Sequence, residues 1–232
     1  MNKRVLIIVT STPLIDGTGH PTGTWADDIA IPYYALREAR CLVDFASPLG
    51  GTAPIDPRSL CEVEGALPPS VVQFVADREL QQQLAGTRRV AEIDPLRFDA
   101  LFVPGGHGAL WDLPGDAGVA QVVSSMLGYG QIVATLCHGA AALLGATGYG
   151  GRPLVAGRRV TSITDAEESA VGLTAVLPVS LEQRLRELGA EFVHDELWHA
   201  YVTRDHALIT GQNPQSAPLI ARHLVDALRL AG

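Results

Sequence analysis

The sequence predicts a three-layer α/β/α sandwich around a mostly parallel central sheet. Short runs of continuous apolar residues, such as Val5 to Val9 and Ile132 to Leu136, read as strands buried on both faces. These runs alternate with stretches of helical periodicity, the order that lays helices on both sides of a parallel sheet. Glycine-rich segments follow several of the strands, at the sheet edge where parallel α/β proteins bind ligands.

Each element has its own warrant. Val5 to Val9 is the first strand, and Thr10 to Gly23 is a Gly- and Thr-rich loop at its end. Thr24 to Asp27 resembles a capping box, with Thr24 as N-cap and Asp27 standing in for the usual Glu. The helix that follows runs to Ala39, presents Ile29, Tyr33 and Leu36 at helical spacing, and carries Pro32 as an expected kink. Cys41 to Ala46 is the second strand, with Cys41 in the core. Residues 47–95 begin irregular and rich in Pro and Gly, then turn helical around Val71 to Leu84; they read as an insertion or lid in a single domain spanning 1–232, with Cys61 incidental. Phe98 to Pro104 is a strand, Val119 to Leu127 a helix, Ile132 to Leu136 a strand, and Arg158 to Thr164 a further strand running into the acidic Asp165 to Glu168. Those carboxylates suit either a helix start or the orientation of a nearby histidine. Leu181 to Leu188 is helical and ends at Gly189, Glu191 to Val193 is a short strand, Ala207 to Gly211 is the last strand, and an amphipathic helix from Ser216 closes the chain with Leu219, Ile220, Leu224 and Leu228 inward.

Composition narrows the function. The chain has 232 residues, 47% of them hydrophobic, and a net charge of −8 with no basic block, which argues against nucleic acid and anionic membrane as partners and for a small molecule. No apolar stretch reaches membrane-spanning length. Three widely spaced cysteines without a Cys-x-x-Cys pair, and an N-terminal apolar run too short for a signal peptide, point to the cytoplasm. His194 and His199, five positions apart, share neither a helix face nor a strand face, and His223 sits on a helix side; no metal site is expected.

The stretch around Cys137 organises the rest. Its apolar strand stops at the cysteine, and Ala140 to Leu144 are good helix formers, so the chain must turn sharply at Cys137 and present its sulfur at the sheet edge. Small residues on either side let the helix cross nearby; Gly139 satisfies this and Thr135 does so in part. The helix N-terminus is expected to favour thiolate over thiol, with His138 beside it. Gly105-Gly106-His107-Gly108 ends the neighbouring strand; it is either a plain tight turn or a loop whose N–H groups meet a developing oxyanion.

Ala134-Thr135-Leu136-Cys137-His138-Gly139, Pro104-Gly105-Gly106-His107-Gly108 with Trp111-Asp112, Gly151-Arg152-Pro153-Leu154 and Ile209-Thr210-Gly211-Gln212-Asn213-Pro214 together resemble the ThiJ/PfpI superfamily, and within it the chaperone-like, glyoxalase III-type branch. The resemblance spans nearly the whole chain. It implies a flavodoxin-like, class I glutamine amidotransferase-like fold, a homodimer, and no cofactor. It places the nucleophile at Cys137, its histidine at His138 and the acidic third member at Glu168, and it puts oxyanion and substrate contacts at Gly106, His107 and Trp111, with an oxyanion donor also on the backbone of His138. The family glutamate that hydrogen-bonds the cysteine falls on Asp28, which is shorter by one methylene, roughly 1 to 1.5 Å of reach. The helix then has to sit closer, a water has to bridge, or the substrate has changed.

The reaction implied is conversion of methylglyoxal or a similar 2-oxoaldehyde to a 2-hydroxy acid, D-lactate, through a hemithioacetal on Cys137, with deglycation of adducts open to the same machinery. Two other readings remain: a stress-protective chaperone or cysteine redox sensor without turnover, and a cysteine hydrolase or amidotransferase-like enzyme on another small substrate.

Overall fold

The computed structural model describes residues 3–15, 17–63 and 65–230. The chain opens with β1 (Arg4–Ile8), α1 (Ala26–Glu38) and β2 (Leu42–Ser47). It continues through α2 (Pro69–Ala76), α3 (Arg78–Ala85), β3 (Arg88–Arg89), β4 (Ala100–Val103), α4 (Ala109–Asp112) and α5 (Ala117–Gly128). Then come β5 (Ile132–Leu136), β6 (Arg159–Val160), α6 (Asp165–Val171), α7 (Leu181–Glu187), β7 (Glu191–Phe192), β8 (Val202–Asp205), β9 (Leu208–Gly211) and α8 (Ala217–Leu230).

A seven-stranded sheet in the order β3-β2-β1-β4-β5-β9-β8 forms the middle layer. It is parallel except for β8, which pairs antiparallel with β9 through a tight hairpin. The mostly apolar strands β1, β4, β5 and β9 occupy its centre, where both faces are covered, and all of β4, β5 and β9 is buried. The order reverses between β1 and β4: the chain leaves β1 toward β2 on one side and later returns to β4 on the other. Such a switch point opens a crevice at the carboxyl ends of the strands. The loops after β1, β4 and β5 all lie at that end.

Several expectations are corrected. Thr24 does not cap α1; the N-cap is Trp25, whose side chain makes no cap bond, the Ala26 N–H donates to Ser59 Oγ at 3.0 Å, and the buried Thr24 hydroxyl has no hydrogen-bond partner among the described residues. The bonding capacity of Asp27 goes instead to Ser70, whose hydroxyl donates to it at 2.5 Å. Pro32 is accommodated within one continuous helix. The single helix expected near 71–84 is two, because Asp77 ends α2 and accepts the Leu80 N–H as N-cap of α3. The strand after Arg158 is short and leaves the main sheet: β6 pairs with β7 in a separate two-stranded sheet. Cys41 is buried as expected and Cys61 is exposed.

Candidate active site

The site begins with a strained backbone. Cys137 has φ +55°, a conformation that side-chain-bearing residues rarely hold, directly after the buried strand β5. Residues 137–143 then form a fully buried 3₁₀ helix in place of the α-helix predicted there. The tight winding follows from crowding: a Cβ at Gly139 would lie 2.1 Å from the Val103 carbonyl oxygen, so the turn crosses β4 only because residue 139 has no side chain. Gly106, with φ +112°, makes a similar approach, a Cβ there falling 2.2 Å from the Gly23 oxygen. The loop after β4 is tied to α1 by the Trp25 N–H, which donates to the Gly105 carbonyl at 3.0 Å.

Around the sulfur the side chains form a continuous hydrogen-bonded array. His138 Nδ1 lies 3.2 Å from Cys137 Sγ. The other ring nitrogen, Nε2, meets Glu168 Oε1 in a very short contact. His107 Nε2 meets the second oxygen of the same carboxylate, Oε2, at 3.2 Å, and the two imidazole rings lie 4.2 Å apart. Beyond His107, Arg58 Nη2 donates to Nδ1 at 3.0 Å and also to the buried Asp56 carboxylate at 2.6 Å. Glu168 reaches this position because α6 starts with a full capping box between Thr164 and Glu167, so the acidic stretch is both a helix start and the histidine's partner.

The electrostatics differ from those expected of a helix-activated thiolate. Burial, then the nearby carboxylates of Asp28 and Glu168, push the Cys137 thiol well up, against the opposing hydrogen bond from the His138 backbone N–H. Burial likewise raises the Asp28 carboxyl well above the usual carboxylate range. Burial also acts to raise Glu168, but His138 and the hydrogen bonds from both imidazoles outweigh it and hold Glu168 well below that range. His107 is lowered to about 4, first by burial and then by the facing His138. These directions favour the thiol over the thiolate at Cys137.

Asp28 is completely buried and contacts the site through the backbone: its Oδ2 accepts the Gly105 N–H at 3.2 Å. Its Oδ1 has no hydrogen-bond partner among the described residues. The aspartate therefore braces the glycine loop, and no side-chain bond joins it to the sulfur. Trp111, expected at the substrate, packs instead against the core from α4. The aromatic walls are Trp25 and Trp198, which with Gly106, His107, Cys137 and Glu168 line a cavity of about 420 Å³. His194 and His199 are exposed and neither lines the cavity. Ligand atoms of His107, His138 and Glu168 lie within 4.8 Å of one another, but each is already engaged by the others through hydrogen bonds.

Two contributors escaped the sequence reading. Arg58 lay in the irregular Pro- and Gly-rich segment, where Asp56 caps a short 3₁₀ turn starting at Pro57. Glu167 is fully buried and accepts five hydrogen bonds, from Thr164 N–H and hydroxyl, Trp198 N–H, Gln212 and Asn213. It fixes Trp198, itself at φ +61°, in the cavity wall and explains the two amides after β9. Amides directly following a buried apolar strand were the available signal.

A strained cysteine at the carboxyl edge of a doubly wound sheet, with a histidine and an ionised carboxylate behind it, places the molecule among α/β proteins built around a cysteine nucleophile. More narrowly, the chain belongs to the DJ-1/PfpI family, whose model matches residues 25–227. It is 29% identical to the glutathione-independent glyoxalase HSP31 of Saccharomyces cerevisiae, over 98% of both chains. It is 27% identical to the protein/nucleic acid deglycase HchA of Pseudomonas aeruginosa, over 97% of this chain and 82% of that one. The crystal structure of glyoxalase III from Candida albicans superposes with a TM-score of 0.88 at 25% identity, covering 97% of each chain.

Proposed function

We propose that this protein is a glutathione-independent glyoxalase that converts a small 2-oxoaldehyde such as methylglyoxal to the 2-hydroxy acid. The observation that carries this reading is the unbroken Cys137–His138–Glu168 contact chain opening on the cavity. The names of the relatives support it.

In the proposed reaction the Cys137 sulfur adds to the aldehyde carbon as its proton passes to His138 Nδ1. The oxyanion that forms is met by the Gly106 N–H and the His138 backbone N–H. His138 returns that proton to the oxyanion, giving the hemithioacetal, and its freed Nδ1 then moves the hydrogen on that carbon to the neighbouring carbonyl oxygen, giving an enediol. A proton delivered to the neighbouring carbon, as the hydroxyl on the sulfur-bearing carbon gives up its own, leaves a thioester of the 2-hydroxy acid. Water cleaves the thioester, regenerates the thiol and releases the acid, so the sum is aldehyde plus water. Glu168 keeps His138 oriented with its Nε2–H engaged and Nδ1 toward sulfur. Adducts carrying the same carbonyl chemistry would enter by the same steps, as in a deglycase.

The test is to incubate the purified protein with methylglyoxal without glutathione and to measure lactate and its chirality. D-lactate is expected from wild type, with Cys137→Ala reduced to background. Wild type indistinguishable from Cys137→Ala would sink the reading. Asp28→Glu, which restores the family's reach toward sulfur, is expected to raise turnover.

A further inference from the structure

Beyond Glu168 the hydrogen-bond chain continues through His107 to Arg58 and Asp56. Its direction is fixed by chemistry. A guanidinium has donors and no acceptor, so the 3.0 Å contact between Arg58 Nη2 and His107 Nδ1 requires a bare, accepting Nδ1. The proton of His107 then sits on Nε2 and is donated to Glu168 Oε2. Glu168 thus receives one N–H from each imidazole, one per oxygen. Arg58 is held for this task by two bonds to Asp56, whose side chain is fully buried, at 3.0 and 2.6 Å.

We infer that Arg58 is a positioning residue: it keeps Nδ1 of His107 free of a proton, so that His107 remains a neutral donor and the charge of Glu168 stays available to His138. Arg58 also lines the cavity, and the role assigned to it here is exercised through His107. Without it, the single ring proton can sit on Nδ1 in place of Nε2, and a bare Nε2 facing Oε2 would deprive Glu168 of one N–H and disturb that carboxylate's support of His138. The charged and titratable groups facing the His107 ring are Arg58, Glu168 and His138, with Asp56 behind Arg58. Burial and the facing His138 keep the ring neutral, so Arg58 selects the tautomer and not the charge.

The inference rests on the reading of Cys137, His138 and Glu168 as the catalytic array, and it is tested by a measurement that does not depend on turnover. In protein labelled with 15N-histidine, with His107 assigned by comparison with His107→Gln, wild type is expected to show a bare Nδ1 and a protonated Nε2 from pH 8 to pH 5.5. In Arg58→Met, the ring is expected to stay neutral over that range but to carry its proton on Nδ1 in a substantial fraction of molecules. Its kcat should then lie about tenfold below wild type across the range, typical of losing a group that orients a catalytic partner. Arg58→Lys, which keeps a cationic donor, should restore both. The double variant Asp56→Asn, Arg58→Met leaves no stranded buried carboxylate and should behave like Arg58→Met if the single variant folds poorly. A protonated Nδ1 in wild type, or ring nitrogens unchanged in Arg58→Met whatever its kcat, would overturn the assignment. No lactate from wild type, with the expected ring nitrogens present, would refute the glyoxalase reading and leave the role of Arg58 in ordering the ring intact.

Discussion

Asp28 carries the sharpest consequence at the scale of a single residue. Its carboxyl is buried, bonded only through Oδ2, and raised well above the usual carboxylate range by that burial. For a group raised in the folded state, the stability it contributes is complete below the unfolded value of about 3.9 and declines as pH rises toward the folded one, by at most about 1.4 kcal/mol per pH unit. Asp28→Asn keeps an acceptor for the Gly105 N–H and removes the ionisation. Its melting temperature should therefore exceed wild type at pH 7 to 8, while the difference shrinks near pH 4; equal pH profiles would show that Asp28 is not held protonated. Glu168 is the opposite case. Glu168→Gln presents an amide N–H to one of two imidazole donors, and kcat should fall by about a hundredfold or more, as when a triad carboxylate is replaced by its amide. Steady-state kinetics at pH 7 check this.

Between elements, glycines decide what can cross what. Gly139→Ala would drive a methyl into the Val103 carbonyl at the point where the 3₁₀ helix passes β4. It should destabilise the fold by about 1–3 kcal/mol or more through overpacking, read by urea denaturation. Gly128, at the end of α5, has nothing within 4 Å of the same position, and Gly128→Ala should gain a few tenths to about 1 kcal/mol. The central strands and most helices were legible in the sequence at this scale, because a solid apolar run or a 3.6-residue stripe is written locally, whereas β3 and β8 carry no such run. The 3₁₀ form of 137–143 was not: Ala140 to Leu144 favour an α-helix, and the constraint that overrides them comes from β4, a separate segment. The capping box assigned to Thr24 failed for a related reason. The loops from Gly23 to Trp25 and Gly105 to Gly106 press together, and helix α1 starts where that contact lets it.

Taken as a whole, the molecule concentrates its perturbed carboxylates in one crevice, and this sets its response to acid. Asp56 and Glu168 are both held below the usual range, in each case against the upward push of burial, by Arg58 and by the two imidazoles respectively. A depressed group contributes stability that is present above its unfolded value, about 4, and lost as pH falls through its folded value. Wild type should accordingly lose thermal stability below about pH 4, whereas Glu168→Gln should start less stable at pH 7 and decline more gently; parallel curves would contradict this. Among the described residues no helix is long and apolar enough to cross a membrane. The sequence by itself determined the alternation of strands and helices, the sheet class and the position of Cys137 at a strand end with His138 beside it, since each depends on local pattern, while Glu168 and Gly106 were singled out by the family resemblance. Only the tertiary structure decided that the thiol is raised instead of activated by a helix end, that Asp28 braces Gly105, that Trp25 and Trp198 replace Trp111 at the cavity, and that Arg58 and Glu167 support the site. Those outcomes depend on burial and on contacts between residues many tens of positions apart, which the switch point between β1 and β4 brings to one edge of the sheet.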